Sequence, residues 1–153
     1  MTTAIDIIQQ VTDNVSKRIG YDVQFFYGST AGVEGYIQRL KINESAVYPA
    51  IIVFTEGITE LQKLYSVSFT IPKIVICCRS LPNYTEKEKK ELVYDAIIYP
   101  IFELFAEELD LLQWGVEVNR SDIPTANEVF NDTVDGCFIR NLSMNVVINK
   151  SDC

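Results

Sequence analysis

The chain has 153 residues, 48% of them apolar and 22% charged, which fits a single globular domain with room for an ordinary core and excludes a disordered tail, a collagen-like fibre or a long coiled coil. Thirteen Lys and Arg against 21 Asp and Glu leave a formal net charge of −8, and the basic residues form no patch, so sequence-specific DNA binding is not expected. There is no histidine, which removes the commonest general base and transition-metal ligand.

The first element is an amphipathic helix over residues 3–19. Ile5, Ile8, Val11, Val15 and Ile19 recur at steps of three and four. Thr2 or Thr3 can cap its start, and Gly20 suits the left-handed position after its end. Residues 21–27 read as a short strand. Gly28, Ser29, Gly32 and Gly35 then predict a pliable loop, and residues 36–42 read as either a strand or a helical turn.

YPAIIVFT (48–55) is a strand whose unbroken apolar run, Ile51 to Phe54, predicts cover on both faces. Pro49 stands where its missing donor is tolerated, and Gly57 opens the following turn. Residues 64–78 read as one long bent strand. Tyr65, Val67, Phe69 and Ile71 alternate with Ser66, Ser68 and Thr70, Pro72 interrupts the ladder, and 73–78 resume it. Cys77 and Cys78 lie in that apolar run and read as buried small hydrophobes, whereas Cys153 ends the chain and is expected to be exposed.

Residues 85–110 form the second helix. Thr85 and Glu88 make a capping box, and Leu92, Val93, Ala96, Ile97, Leu104 and Phe105 recur at helical spacing. Pro100 should kink or split it. A short strand at 116–119 precedes a turn-rich stretch, 121–136. The last strand runs from 138 to 148, with Phe138, Leu142, Met144, Val146 and Ile148 on one face and Asn141, Ser143 and Asn145 on the other. Asp135-Gly136 before it is a hairpin-type dipeptide.

The order α, β, β, β, α, β, β favours hairpins over crossovers. It predicts the α+β class: a mixed, mainly antiparallel sheet of about four to five strands packed on two main helices. The whole chain, 1–153, makes one domain, with extended loops at about 28–47 and 121–136.

Motifs for chemistry are missing. The glycines at 28, 32 and 35 match no phosphate loop. The four cysteines form no CxxC pair and, without histidine, no zinc set. Residues 131–136 resemble a calcium loop only superficially, since Leu142 stands where the bidentate Glu belongs. No catalytic residue, cofactor or metal is expected, and an enzyme is the weakest reading.

Two acidic features stand out as candidate subunit or partner interfaces. The end of the second helix carries Glu103, Glu107, Glu108 and Asp110 with no base after Lys90, against the helix dipole, so either solvent screens them or a basic surface meets them. The stretch 121–136 mixes acids (Asp122, Glu128, Asp132, Asp135) with Ile123, Val129, Phe130 and Val134, as a loop that contacts another subunit would.

An amphipathic N-terminal helix, then "YPAIIVF", a long strand ending "IPKIVICC", a capped helix, and a final "DGCFIRNLSMNVVI" strand together resemble the tail-terminator and tail-completion proteins of tailed bacteriophages, and more loosely the ring proteins of the head–tail neck. The resemblance spans roughly residues 1–149. It implies a structural virion protein made in the host cytoplasm, forming a sixfold or twelvefold homo-oligomeric ring beside other neck, portal or tail-tube proteins. DNA would pass through the ring without sequence-specific binding, and no membrane is involved. By position, residues 28–36 and 121–136 would reach neighbouring subunits or the channel. The alternative is a non-catalytic binding or adaptor protein of phage or bacterial origin that meets one partner through the acidic helix end.

Overall fold

The computed structural model describes residues 4–42, 49–79, 84–111, 116–117, 125–131 and 134–147; for 37–42, 79, 116–117, 125–131, 134–135 and 147 it describes the backbone alone. The predicted caps Thr2 and Thr3, residue Ile148 and Cys153 lie outside the described residues.

The first helix, α1 (Ala4–Ile19), buries Ile7, Ile8, Val11 and Val15 and closes on Gly20, whose φ of 87° lets its N–H reach the Ser16 carbonyl at 3.1 Å. A strand, β1 (Gln24–Gly28), follows. Residues 30–42, expected as a loop and an undecided segment, are instead a second helix, α2 (Thr30–Ile42). Gly32 and Gly35 lower its intrinsic propensity by about 1 kcal/mol each. Local capping and packing outweigh them. The Ser29 hydroxyl accepts the Gly32 N–H at 3.2 Å, the Glu56 carboxylate accepts the Thr30 N–H, and Val33 is fully buried on the sheet.

That helix is a crossover, so β1 and β2 (Ala50–Phe54) run parallel, Phe25 opposite Ile51 and Tyr27 opposite Val53. The rest of the sheet is antiparallel. A turn over Thr55–Ile58 with Gly57 at φ 78° leads to β3 (Thr59–Gln62), then to β4 (Ser66–Arg79). Beyond the third helical region come β5 (Val116–Glu117), β6 (Thr125–Asn131) and β7 (Val134–Val147). The long β4 and β7 pair along their whole length, from Ser66–Val147 to Arg79–Val134. Each is flanked by two short strands: β2 and β3 beside β4, β6 and β5 beside β7. The described residues thus make a seven-stranded mixed sheet, mainly antiparallel, in an α+β fold. It has two strands and one helix more than the sequence suggested.

The turn-rich reading of 121–136 is corrected in the same way. Residues 125–131 are β6, and Asp135-Gly136, expected as a turn, lie inside β7 opposite Val129 and Glu128. Only residues 132–133 separate the two strands.

The bend expected at Pro72 has a partner across the ladder. Pro72 faces Asn141, whose φ of 53° is a left-handed conformation that Asn tolerates, between the Ile71–Leu142 and Lys73–Arg140 pairs. Both strands change alternation phase there. Val67, Phe69 and Ile71 share one face with Ile74, Ile76 and Cys78, while Cys137 and Ile139 share it with Leu142 and Met144. Phe138, expected beside Leu142 and Met144, therefore faces the other way. An even count from 138 to 142 misled because the kink at Asn141 turns the chain over.

The helical segment after β4 begins with Thr85, whose side chain accepts the Glu88 N–H while Glu88 reaches back to the Thr85 N–H, the expected capping box. One α-turn, α3 (Glu86–Glu88), widens into a π-helical stretch, Lys89–Ile98, and then into α4 (Tyr99–Asp110). Tyr99 still bonds five residues back, to Tyr94. Pro100 has no N–H to continue that ladder and sits in the first turn of α4, where none is needed.

Two buried clusters follow. The larger lies between one sheet face and α1 with α4: Ile7, Val11, Ile51, Val53, Ile71, Ile74, Ile101, Phe105 and Leu109. The smaller lies under α2: Val33, Ala50, Ile52, Phe54, Val75, Cys77 and Phe138. Alternate residues of β2 serve both, so the strand is covered on both faces as its apolar run implied. Cys77, Cys78 and Cys137 are buried free thiols, and burial pushes Cys137 up to about 11, which keeps it protonated at neutral pH.

Candidate subunit interface

The acidic end of α4 meets a base from its own chain. Arg18, in the last turn of α1, divides its guanidinium between two carboxylates: Nη2 to Glu107 Oε2 at 2.7 Å and Nη1 to Glu108 Oε1 at 3.1 Å. Neighbours on a helix diverge by about 100°, yet a planar fork with five donors spans them. The two acids, Glu107 foremost, raise the Arg18 pKa by accepting its hydrogen bonds. The Glu108 side chain is only 10% exposed, so it belongs to the α1–α4 contact rather than to the surface. Glu103 stays exposed one turn before Glu107. The partner lay in plain sight as Lys17-Arg18, but 89 residues away, and no local pattern links the two.

The other predicted group falls elsewhere. Val129 and Phe130 are in β6 and Val134 opens β7, with Val129 paired to Asp135 and a bulge between Val129 and Asn131 at Phe130. Ile123 and Asp132 lie outside the described residues. This hairpin pairs with the first half of β7, whereas α4 packs near β5, which pairs with Asn145 and Val146 at the other end. The two predicted patches are therefore separate surfaces.

Two surfaces went unnoticed in the sequence. The first is the β3–β4 hairpin. The Lys63 N–H donates to the Ser66 carbonyl at 2.8 Å, which closes a turn whose tip is Leu64-Tyr65. Leu64 is 82% exposed, Tyr65 48% and Leu61, on β3, 62%. All four β3 residues are exposed, and among the described residues β3 pairs with β4 alone, so its outer edge is open. Tight turns favour Gly, Asn or Asp, and a Leu-Tyr tip is an anomaly. Leu64 and Tyr65 had merged into the apolar run of β4, which hid the turn.

The second surface is the sheet face opposite α1 and α4. Here Lys73 and Arg140 stand directly across from each other on β4 and β7. The Lys73 ammonium sits 4.5 Å from the Phe54 ring centre and 4.8 Å from that of Phe138, and the Arg140 guanidinium 5.2 Å from Phe138. Toward the hairpin the same face continues as a polar ladder: Ser68 donates to Asn145 at 3.1 Å, and the Thr70 and Ser143 hydroxyls lie 3.4 Å apart.

At the margin of this face Glu56 anchors α2. The Thr30 hydroxyl and N–H hold its carboxyl below the ordinary carboxylate range, with a smaller contribution from Lys73. A depressed acid stabilises the fold above its unfolded value of 4.5, and that contribution disappears as pH falls through the folded value. Wild type should therefore lose more stability between pH 7 and pH 3 than Glu56→Gln does, by urea titration at each pH. Equal losses would show that the cap is not formed.

No group of three or more His, Cys, Asp or Glu placed to hold a metal occurs among the described residues, and no helix there is long and apolar enough to cross a membrane. What the arrangement offers is contact surface: an apolar hairpin tip beside an open edge, a cationic pair on aromatic rings, and an acidic helix end. No protein-family model matches the chain, and no curated protein does either.

Proposed function

We propose that this chain is a structural subunit of a tailed-bacteriophage particle, a tail-terminator, tail-completion or neck-ring protein that joins copies of itself at the head–tail junction and works through shape rather than a reactive centre. The observation that carries the reading is the β3–β4 hairpin, which exposes Leu61, Leu64 and Tyr65 within five residues along an unpaired strand edge. A single exposed Leu is ordinary, but a cluster on a projecting hairpin is the kind of surface that a neighbouring subunit covers. The order of elements and the segments "YPAIIVF", "IPKIVICC" and "DGCFIRNLSMNVVI" supply the link to the phage family. The net charge of −8 suits the rim of a channel through which DNA passes without sticking. On this reading the mature protein resides in the virion, and its partners are its own copies and the adjoining neck, portal or tail-tube proteins.

Mass spectrometry and electron microscopy of purified particles test this directly. The chain should be present at the tail–neck boundary in the copy number of a ring. The double variant Leu64→Asp/Tyr65→Asp should keep its melting temperature within about 2 °C, as surface substitutions do, and enter particles at least about tenfold less well. Absence from particles overturns the reading, and normal incorporation of the folded variant removes the hairpin from it.

A further inference from the structure

We propose that the cationic pair Lys73–Arg140 receives the acidic stripe of α4 from a second copy of this chain, in a head-to-tail contact. The inference rests on the ring reading above and names the surfaces that meet.

Three observations lead to it. First, Lys73 and Arg140 are opposite each other in the β4–β7 register, and like charges in that position repel. The faces of Phe54 and Phe138 soften the repulsion without neutralising it, and a carboxylate arriving from outside would turn the pair into an asset. The site is accessible on its flank, where Asn141 and Ser143 are exposed.

Second, the chain carries a matching acidic surface. Glu103, Glu107 and Asp110 follow one another at steps of four and three and so share a helix face. That face is turned away from the core, because Ile101, Phe105 and Leu109 occupy the buried one. Arg18 engages Glu107 and Glu108 but does not balance the group, and the last turn of α4 has no base of its own. In a protein with a net charge of −8, a second copy brings this stripe at the same concentration as the cationic pair.

Third, the two surfaces lie on opposite sides of the sheet. α4 covers the face built from Ile51, Ile74 and Ile139, whereas Lys73 stands over Phe54 and Phe138 on the other. A contact between unlike patches on opposite sides is heterologous. It leaves one free patch at each end, so it propagates and closes into a ring when the rotation permits. A face-to-face dimer would instead bring like charge against like.

The test is a charge exchange read by sedimentation equilibrium and small-angle scattering up to about 1 mM protein, a range that registers weak contacts. Wild type should self-associate, and raising salt from about 50 to about 300 mM should weaken it. Lys73→Glu/Arg140→Glu and, separately, Glu103→Lys/Asp110→Lys should each reduce association at least about tenfold while melting like wild type; the second variant leaves the Arg18 pairs in place. Mixed in equal amounts, the two variants should associate again, because every junction then joins opposite charges. Association of either variant at the wild-type level, or no recovery on mixing, overturns the contact. A wild-type chain that stays monomeric up to the highest concentration also overturns it. If that monomer still occupies a ring in particles, the structural reading survives and this contact alone is lost.

Discussion

Replacing Phe105 by Ala should cost about 4 kcal/mol, the upper part of the range for a large aromatic deleted from a core. Phe105 is fully buried in α4, between Ile101 and Leu109 one turn to either side, and its ring fills the space between α1 and the sheet. The neighbours cannot collapse to fill the void. Ile74, Ile76 and Ile139 are held by the β4–β7 ladder, and Ile7, Ile8 and Val11 by a helix that Arg18 clamps to α4. For a chain of this size the loss corresponds to a fall of about 8–16 °C in melting temperature. Leu92→Ala is the control: Leu92 is 49% exposed on the π-helical stretch and should change stability by well under 1 kcal/mol. Similar losses for the two variants in urea titrations would mean that α4 does not pack as described.

A second large effect comes from adding one carbon rather than removing seven. A Cβ on Gly136 would lie 2.6 Å from Val75 Cγ2, well inside van der Waals contact, and 3.5 Å from the Ile76 carbonyl oxygen. Gly136 pairs with Cys77 on one side and Glu128 on the other, so β7 has no room to move sideways. Gly136→Ala should therefore destabilise by about 2 kcal/mol, through overpacking. The clash has a named partner, which gives a sharper check than the loss itself. In a Val75→Ala background the same substitution should cost at least about 1 kcal/mol less, a coupling that a double-mutant cycle measures. An additive result would show that Gly136 is needed for some reason other than Val75.

The sheet-wide change of phase at Pro72 and Asn141 links this packing to the surfaces. Before the kink, β4 turns Ser66, Ser68 and Thr70 to the face that Lys73, Val75 and Cys77 occupy after it. One continuous strand pair thus presents a wet polar ladder at one end and an aromatic, cationic floor at the other. Without the flip, Lys73 would lie among Ile71, Ile76 and Leu142, at the cost of burying a charge.

Much of this molecule was determined by local order in the chain. The 3.6-residue spacing marked α1 and the region after Thr85, the capping box set where that region starts, and Pro100 set where its ladder changes. The unbroken apolar run of residues 51–54 marked a strand buried on both faces, and a strand interrupted by Pro72 was legible as one bent element. Each of these is carried by residues within a few positions of one another, so sequence alone suffices. The tertiary structure decided the rest. Gly32 and Gly35 spoke for a loop, and α2 forms because Glu56 caps it and because Val33 and Tyr36 dock on the sheet, Tyr36 stacked 4.2 Å from Phe26. Residues 125–131 are a strand because β7 offers them a partner, and the acids of α4 are met by Arg18 from the far end of the sequence. The exposed hairpin tip and the facing Lys73–Arg140 pair likewise depend on register between strands. Helical periodicity and caps are short-range and leave their signature in one stretch of chain, whereas strand pairing and charge pairing join residues far apart whose encounter only folding brings about.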